Sequence, residues 1–268
     1  MILDGKAIAE DMYEALTKRR ALFGRNIKLG IIVAGPSPVI DLFVRIKTRA
    51  ATKLNIEMVR IDIPDGMDTA TAAEQVKWLA ADVDAVIVQL PLPKSLDTNA
   101  ILAAIPPEKD VDALNPTIPE DKHPVFAPVA LAVVELLKRA GVEIKGKKTV
   151  VVGAGRLVGA PSAVLLKRLG ARVSMFTLKE GSVHDLKDAD IVVCGAGNPG
   201  FIKPEHIKEG VAMIDAGASE SKGRVVGDAD PACAEKASVF SPVPGGVGPV
   251  AVAMIFRNLF DLLEKARS

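Results

Sequence analysis

Aromatic side chains are scarce in this chain: one Trp, one Tyr and eight Phe, or 4% of 268 residues. That scarcity argues against a stacking platform for single-stranded nucleic acid. Neither sign of charge dominates. Thirty-four Lys and Arg against 33 Asp and Glu leave a net charge of +1, so the electrostatic footprint of a nucleic-acid or acidic-membrane binder is missing. The two cysteines, Cys194 and Cys233, fit neither a metal-ligand spacing nor a disulfide framework, and no metal site is expected. No apolar run approaches the ~20 residues of a spanning helix. Internal repeats and low-complexity stretches are absent. The opening MILDGKAIAEDM has acids near its start and no apolar core, which predicts a cytoplasmic chain without a secretory signal.

What is present is an ordinary globular balance, 49% apolar and 25% charged, in a length that suits two modest domains. One stretch stands out, KKTVVVGAGRLVGAPSAVLLKRLG from Lys147 to Gly170. Thr149 to Val152 has the β-branched character of a buried parallel strand. Gly153, Gly155 and Gly159 follow as G-x-G-x-x-x-G. Ser162 to Leu169 carries Ala163, Leu165, Leu166 and Leu169 at near-helical spacing, and Gly170 sits where a C-cap belongs. Strand, glycine turn and helix are the first half of a dinucleotide-binding βαβ unit, with Arg172 to Phe176 as the next strand. Such glycines let a pyrophosphate approach the N–H groups of a helix N-terminus. The same pattern also suits a tight strand–helix turn that binds nothing.

Read in order, the pattern predicts a helix over 4–23, a strand over 29–33 and a turn at Gly35-Pro36-Ser37-Pro38. A helix over about 39–54, a strand over 58–63, a helix over 69–80 and a strand over 85–90 come after it. This alternation predicts a first α/β domain ending near residue 120. A connecting helix over 126–141 leads to the nucleotide unit. Strands at 191–194 and 211–214 come next, then the loop SPVPGGVGP and a last helix over 250–266.

Separated segments carry a family resemblance. LDGKAIA near the start, VQLPLP at 88–93, KDVDA at 109–113 and SPVPGGVGPVAVAMI at 241–255, with MIDAG at 213–217 and GDAD at 227–230, resemble the bifunctional methylenetetrahydrofolate dehydrogenase/methenyltetrahydrofolate cyclohydrolase family. The resemblance spans nearly the whole chain. It implies an α/β fold with an N-terminal folate domain, a C-terminal Rossmann-like domain and a cleft between them, usually in a homodimer. The expected boundaries are 1–122 plus a returning helix 250–268 for the first domain, and 123–249 for the second. The implied chemistry is oxidation of 5,10-methylenetetrahydrofolate by a nicotinamide dinucleotide, then hydrolysis of the methenyl product to 10-formyltetrahydrofolate.

The resemblance assigns roles. Lys47 matches the family's motif lysine, and spacing i, i+4 puts it on one helical face with Phe43. From composition alone it is a solvated lysine among Arg45, Arg49 and Lys53. Gln89 is similar to the glutamine that orients that lysine, and Asp112 to the carboxylate that holds the pterin edge. Without the resemblance, Asp112 reads as a turn aspartate in a D-x-D loop. Folate contacts are implied for Phe43, Lys47, Gln89, Asp112, Pro244, Gly245 and Gly246. Cofactor contacts are implied for the turn Gly153, Gly155, Arg156, Leu157, Val158 and Gly159, for Thr177 and Lys179, for Gly195, Ala196 and Gly197, and for Asp215, Gly246 and Val247.

The chain also departs from that pattern. Phe43 stands where the family commonly has Tyr. The segment Phe126-Ala127-Pro128-Val129-Ala130 lacks the family's thiol and hydroxyl, Ala251 replaces a Thr, and a Gly-Arg-Ser turn has become Gly153-Ala154-Gly155-Arg156. An NAD fingerprint would end the second strand on an acid. Thr177 stands there instead, and Arg156 with Lys179 could pair a 2′-phosphate, so NADP is expected, with NAD possible. His123, His184 and His206 lie outside every motif, the last two expected at the surface. A dehydrogenase of another small substrate and a non-catalytic paralogue remain as alternatives.

Overall fold

The structure, a computed structural model, describes residues 1–35, 37–177, 179–221 and 224–267. Pro36 of the predicted turn lies outside them. The chain packs as two compact units, one of Met12–Val125 with Ile255–Ser268, the other of Met1–Asp11 with Phe126–Met254.

The first unit is built on a parallel sheet of order β2-β1-β3, with β1 at Lys28–Ala34, β2 at Glu57–Ile63 and β3 at Ala85–Val88. Leu29 pairs with both Met58 and Ala85. β1 and β3 are buried along nearly their whole length, which is why they read as continuous apolar runs rather than alternating ones. Helices α2 (Pro38–Lys53), α3 (Thr69–Asp82) and the short α4 (Thr98–Leu102) belong to this unit, as does α1 (Gly5–Arg20) from Met12 onward. Val76, Leu79, Val86, Val88, Ile101 and Leu102 share one core. The last helix, which includes Ile255–Lys265, adds a stacked Phe23–Phe260 pair with ring centroids 5.4 Å apart. Arg19 forks onto its Asp261 and Glu264 at 2.6 and 2.7 Å.

The second unit holds a five-stranded parallel sheet of order β10-β7-β6-β4-β5. Its strands are β4 (Lys148–Val152), β5 (Arg172–Phe176), β6 (Ile191–Cys194), β7 (Ala212–Asp215) and β10 (Val239–Ser241). Helices α5 (Pro128–Arg139), α6 (Gly159–Arg168) and α7 (Cys233–Lys236), and a hairpin of β8 (Ser219–Ser221) and β9 (Arg224–Val226), complete it, and α8 spans Val247–Lys265. Both sheets use the same device at their lower edge. Asp84, before β3, accepts the backbone N–H of Lys28 at 2.8 Å, and Asp190, before β6, accepts that of Lys148 at 2.8 Å. Each carboxylate ties two neighbouring strands where their ladder begins.

Several bounds differ from expectation. The opening residues pair with the second unit rather than with 12–125. Leu3 N donates to Phe240 O at 2.9 Å, Phe240 N to Met1 O at 2.8 Å, and Gly5 N to Gly245 O at 2.9 Å. Three backbone bonds outweigh adjacency in sequence. β3 stops at Val88 because Pro91 and Pro93 have no N–H to extend a ladder. α5 begins at Pro128, whose fixed φ suits a first helical turn. α6 begins at Gly159 and α8 at Val247, each three residues earlier than the apolar spacing suggests. α4 and the β8–β9 hairpin have no counterpart in the reading of the sequence. α4 exists through its cap: Asp97 accepts from Asn99 N and Ala100 N.

Candidate active site

Helix α2 is started by Ser37, whose hydroxyl accepts the N–H of Ile40 at 3.2 Å, with Pro38 in the first turn. Ile40, Val44, Ala50 and Ala51 are buried. Phe43 and Lys47, one turn apart on the neighbouring stripe, are half-buried. Lys47 Nζ donates to Gln89 Oε1 at 2.8 Å. Gln89 itself is buried just past β3, with its backbone N–H on Ile32 O at 2.9 Å. Its side-chain amide donates to Leu90 O at 2.7 Å. Because that carbonyl can only accept, Nε2 must face it, which leaves Oε1 for the lysine. Lys47 and Gln89 thus come together, and Asp112 belongs to the same unit.

Electrostatics bind the three further. Burial lowers the pKa of Lys47, opposed by the nearby Asp112 carboxylate. Burial pushes Asp112 up to about 6, against the pull of Lys47 and with repulsion from Asp110. Both groups thus hold their charge less firmly than in water, a usual setting for proton transfer.

The turn role considered for Asp112 belongs instead to Asp110, which the reading of the sequence passed over. Asp110 is fully buried, and its carboxylate accepts the backbone N–H of Asp112 at 3.2 Å and of Leu114 and Asn115 at 2.8 Å each. Ala113 is held at φ +54°, a conformation L-residues adopt only when their surroundings insist. Asn258 of α8 ties down the same loop, donating to Val111 O at 2.8 Å. Asp112 is presented from a loop fixed at both ends. Pro106, Pro107 and Pro116 bracket that loop, but within it only the D-x-D pattern hints at its turn.

In the other unit the three fingerprint glycines divide their labour. Gly153 turns at φ +94°, and a Cβ there would lie 2.5 Å from Gly195 O. A Cβ on Gly159 would lie 2.0 Å from Gly153 O, and one on Gly195 2.3 Å from Val158 Cγ1. These three close the turn upon itself. Gly155 alone faces open space, beside exposed Arg156 and Leu157, and no side chain caps the start of α6. The room and the uncapped helix start fit the pyrophosphate of a dinucleotide. Past β5, Thr177 Oγ1 accepts from Lys179 N and Glu180 N at 3.1 Å each, which folds the loop and leaves the Lys179 side chain exposed.

Asp215 does not face a ligand, contrary to expectation. It is 1% exposed, and its carboxylate accepts the N–H groups of Gly217, Asp228 and Ala229 at 2.9 to 3.2 Å. Burial pushes it up to about 6. The Pro-Gly loop is anchored internally: Gly245 turns at φ +104°, Gly246 N donates to Pro242 O at 2.8 Å, and Val247 already belongs to α8. A Cβ on Gly5 would lie 1.8 Å from Gly246 O, so the LDGK segment fits against the loop that carries Pro244, Gly245 and Gly246 only because position 5 is glycine. His184 is exposed, as expected. His206 is instead partly buried, its Nδ1 accepting from Lys203 N at 3.0 Å. Among the described residues no cluster of three or more His, Cys, Asp or Glu could hold a metal ion, and no helix is long and apolar enough to cross a membrane.

Comparison with known proteins bears on both units. Residues 3–112 match the family described as tetrahydrofolate dehydrogenase/cyclohydrolase, catalytic domain, and residues 127–267 match its NAD(P)-binding domain. The bifunctional protein FolD of Methanospirillum hungatei is 37% identical over 273 residues, covering 98% of this chain and 97% of the relative. Among solved structures, the Trypanosoma brucei methylenetetrahydrofolate dehydrogenase-cyclohydrolase, complexed with NADP cofactor and inhibitor, aligns with a TM-score of 0.92 at 33% identity. It covers 100% of this chain and 98% of that one. The bifunctional FolD enzyme of Campylobacter jejuni aligns with a TM-score of 0.92 at 29% identity, covering 99% of both chains.

Proposed function

Because the chain belongs to the tetrahydrofolate dehydrogenase/cyclohydrolase family, we propose that it oxidises 5,10-methylenetetrahydrofolate with a nicotinamide dinucleotide and hydrolyses the methenyl product to 10-formyltetrahydrofolate. The observation that carries this reading is the 2.8 Å bond from Lys47 to Gln89, with Asp112 close enough to shift the lysine's pKa. The dinucleotide, when bound, supplies a hydride acceptor. This chain's part in oxidation is alignment: Asp112 holds the pterin by its amino-pyrimidine edge, and the Phe43 ring lies against it. In hydrolysis Lys47 handles the proton of the attacking water. A lysine with lowered pKa spends more time as the free amine, and Gln89 fixes its direction. Mixing protein, methylenetetrahydrofolate and dinucleotide while following reduced-nicotinamide absorbance tests the reading. Absence of signal with both NADP and NAD would refute it.

The coenzyme is proposed to be NADP. Two cations, Arg156 and Lys179, are exposed beside the Gly155 opening and the end of β5, and no acid ends that strand. The T. brucei relative's NADP complex supports this assignment. A charge-assisted contact to a 2′-phosphate contributes ~1.5–3 kcal/mol, so kcat/KM should favour NADP over NAD by about tenfold or more. Arg156→Ala with Lys179→Ala should abolish most of that ratio while sparing NAD turnover. A parent enzyme faster with NAD would overturn the assignment. A homodimer follows from the family resemblance, and sedimentation at twice the chain mass would establish it.

Phe43 offers a separate test. Phe43→Tyr adds one hydroxyl to the same flat ring, so folate affinity should hold. If a hydroxyl beside Lys47 assists proton handling, hydrolysis should accelerate while hydride transfer stays level. A flat hydrolytic rate would show that the hydroxyl is not missed.

A further inference from the structure

The motifs MIDAG and GDAD interlock. Asp215 of the first packs on Gly227 of the second, where a Cβ would lie 2.0 Å from Asp215 Oδ2. Asp228 of the second packs on Gly217 of the first, where a Cβ would lie 2.5 Å from Asp228 Cγ. Each motif thus supplies a carboxylate and the gap that receives the other's. Asp228 is fully buried and spends both oxygens on one loop. Oδ2 accepts the N–H of Ala196 at 2.6 Å and of Gly197 at 3.2 Å, and Oδ1 that of Asn198 at 2.7 Å. Asp215 in turn accepts the backbone N–H of Asp228 and Ala229.

The loop held this way follows β6, at the carboxyl edge where open α/β sheets bind ligands. Residues 196–198 are exposed on their outer side while their N–H groups point inward at Asp228. Those donors are therefore spent inside the protein and cannot hold a phosphate. The same loop is in tight contact with the fingerprint: a Cβ on Gly153 would sit 2.8 Å from the Ala196 Cα.

We propose that Asp228 is a positioning residue for the dinucleotide site, fixing the 195–198 loop against the Gly153–Gly159 turn, and that Asp215 holds Asp228 in place. The proposal rests on the oxidoreductase reading for its kinetic test alone.

Two experiments decide it. In the parent protein without dinucleotide, hydrogen exchange at the amides of Ala196, Gly197 and Asn198 should already be slow, although they lie in an exposed loop. Fast exchange there would overturn the proposal with no variant needed. Asp228→Asn keeps the shape but turns an NH2 group toward N–H donors, so at least one bond is lost. Exchange at 196–198 should accelerate, and dinucleotide Kd and KM should rise by about tenfold or more. Hydrolysis of methenyltetrahydrofolate, which uses no dinucleotide, should stay at the parent rate. An unchanged dinucleotide Kd, or an equal loss of both activities, would count against the assignment. A parent protein inactive in both assays would refute the functional reading, while exchange and dinucleotide titration would still decide this one.

Discussion

Lys47→Met should remove methenyltetrahydrofolate hydrolysis almost completely, by about 10²–10⁴-fold, the usual worth of a placed proton-transfer group. Methionine keeps the length and the apolar stem, so α2 and its packing should survive. Dinucleotide affinity should not move, because Lys47 belongs to the Met12–Val125 unit. Hydride transfer should fall far less, since it depends on how substrate is held. The check is a pair of initial-rate assays on one preparation, hydrolysis of the methenyl compound and reduction of NADP. Hydrolysis at the parent rate would remove Lys47 from the mechanism. Gln89→Leu offers a graded companion: the lysine keeps its amine and loses its orienting acceptor, so hydrolysis should fall by less than in Lys47→Met.

Asp112→Ala should weaken folate binding by ~2–4 kcal/mol if the carboxylate makes two charge-assisted contacts. A pH profile sharpens this. Asp112 sits at about 6 in the folded protein, and the pterin edge calls for the ionised acceptor. Folate affinity in the parent should therefore fall as pH drops through about 6, approaching tenfold per unit below it. Asp112→Asn should flatten that dependence. Folding stability runs the opposite way. A carboxyl whose folded pKa lies above its unfolded value of ~3.9 stabilises most below that value, and the contribution is lost as pH rises through about 6. Urea denaturation should accordingly show Asp112→Asn gaining on the parent between about pH 4 and pH 7, and no further above it. Equal losses of folate and dinucleotide affinity in Asp112→Ala would mark a folding defect instead.

Much of the architecture was legible because its inner strands are buried along their length. Runs such as AVIV and KTVVV suit the inner strands of a parallel sheet, and the glycine turn behind KTVVV announces a helix. Lys47 was legible only through resemblance, since nothing in its own neighbourhood separates it from Arg45, Arg49 and Lys53. Asp110 and Asp215 show why the rest was hidden. Their carboxylates bind backbone N–H groups, and backbone donors carry no residue identity to be read. An aspartate that faces a ligand and one that pins a loop look alike in sequence. The helix starts at Gly159 and Val247 escaped for a related reason, because they are set by close backbone contact and not by apolar spacing.

Residues 1–11 complete the unit that is otherwise 126–254, and residues 255 onward complete the unit that is otherwise 12–125. Each unit therefore contains one end of the chain. On the ribosome this delays closure. When residue 125 has emerged, its unit still lacks Phe260 for Phe23, Asp261 and Glu264 for Arg19, and Asn258 for the loop that presents Asp112. Met1, Leu3 and Gly5 lack their backbone partners until Phe240 and Gly245 have been made. Cutting between 125 and 126 yields two fragments that each miss a piece, and the shortest chain expected to fold both units runs nearly from end to end.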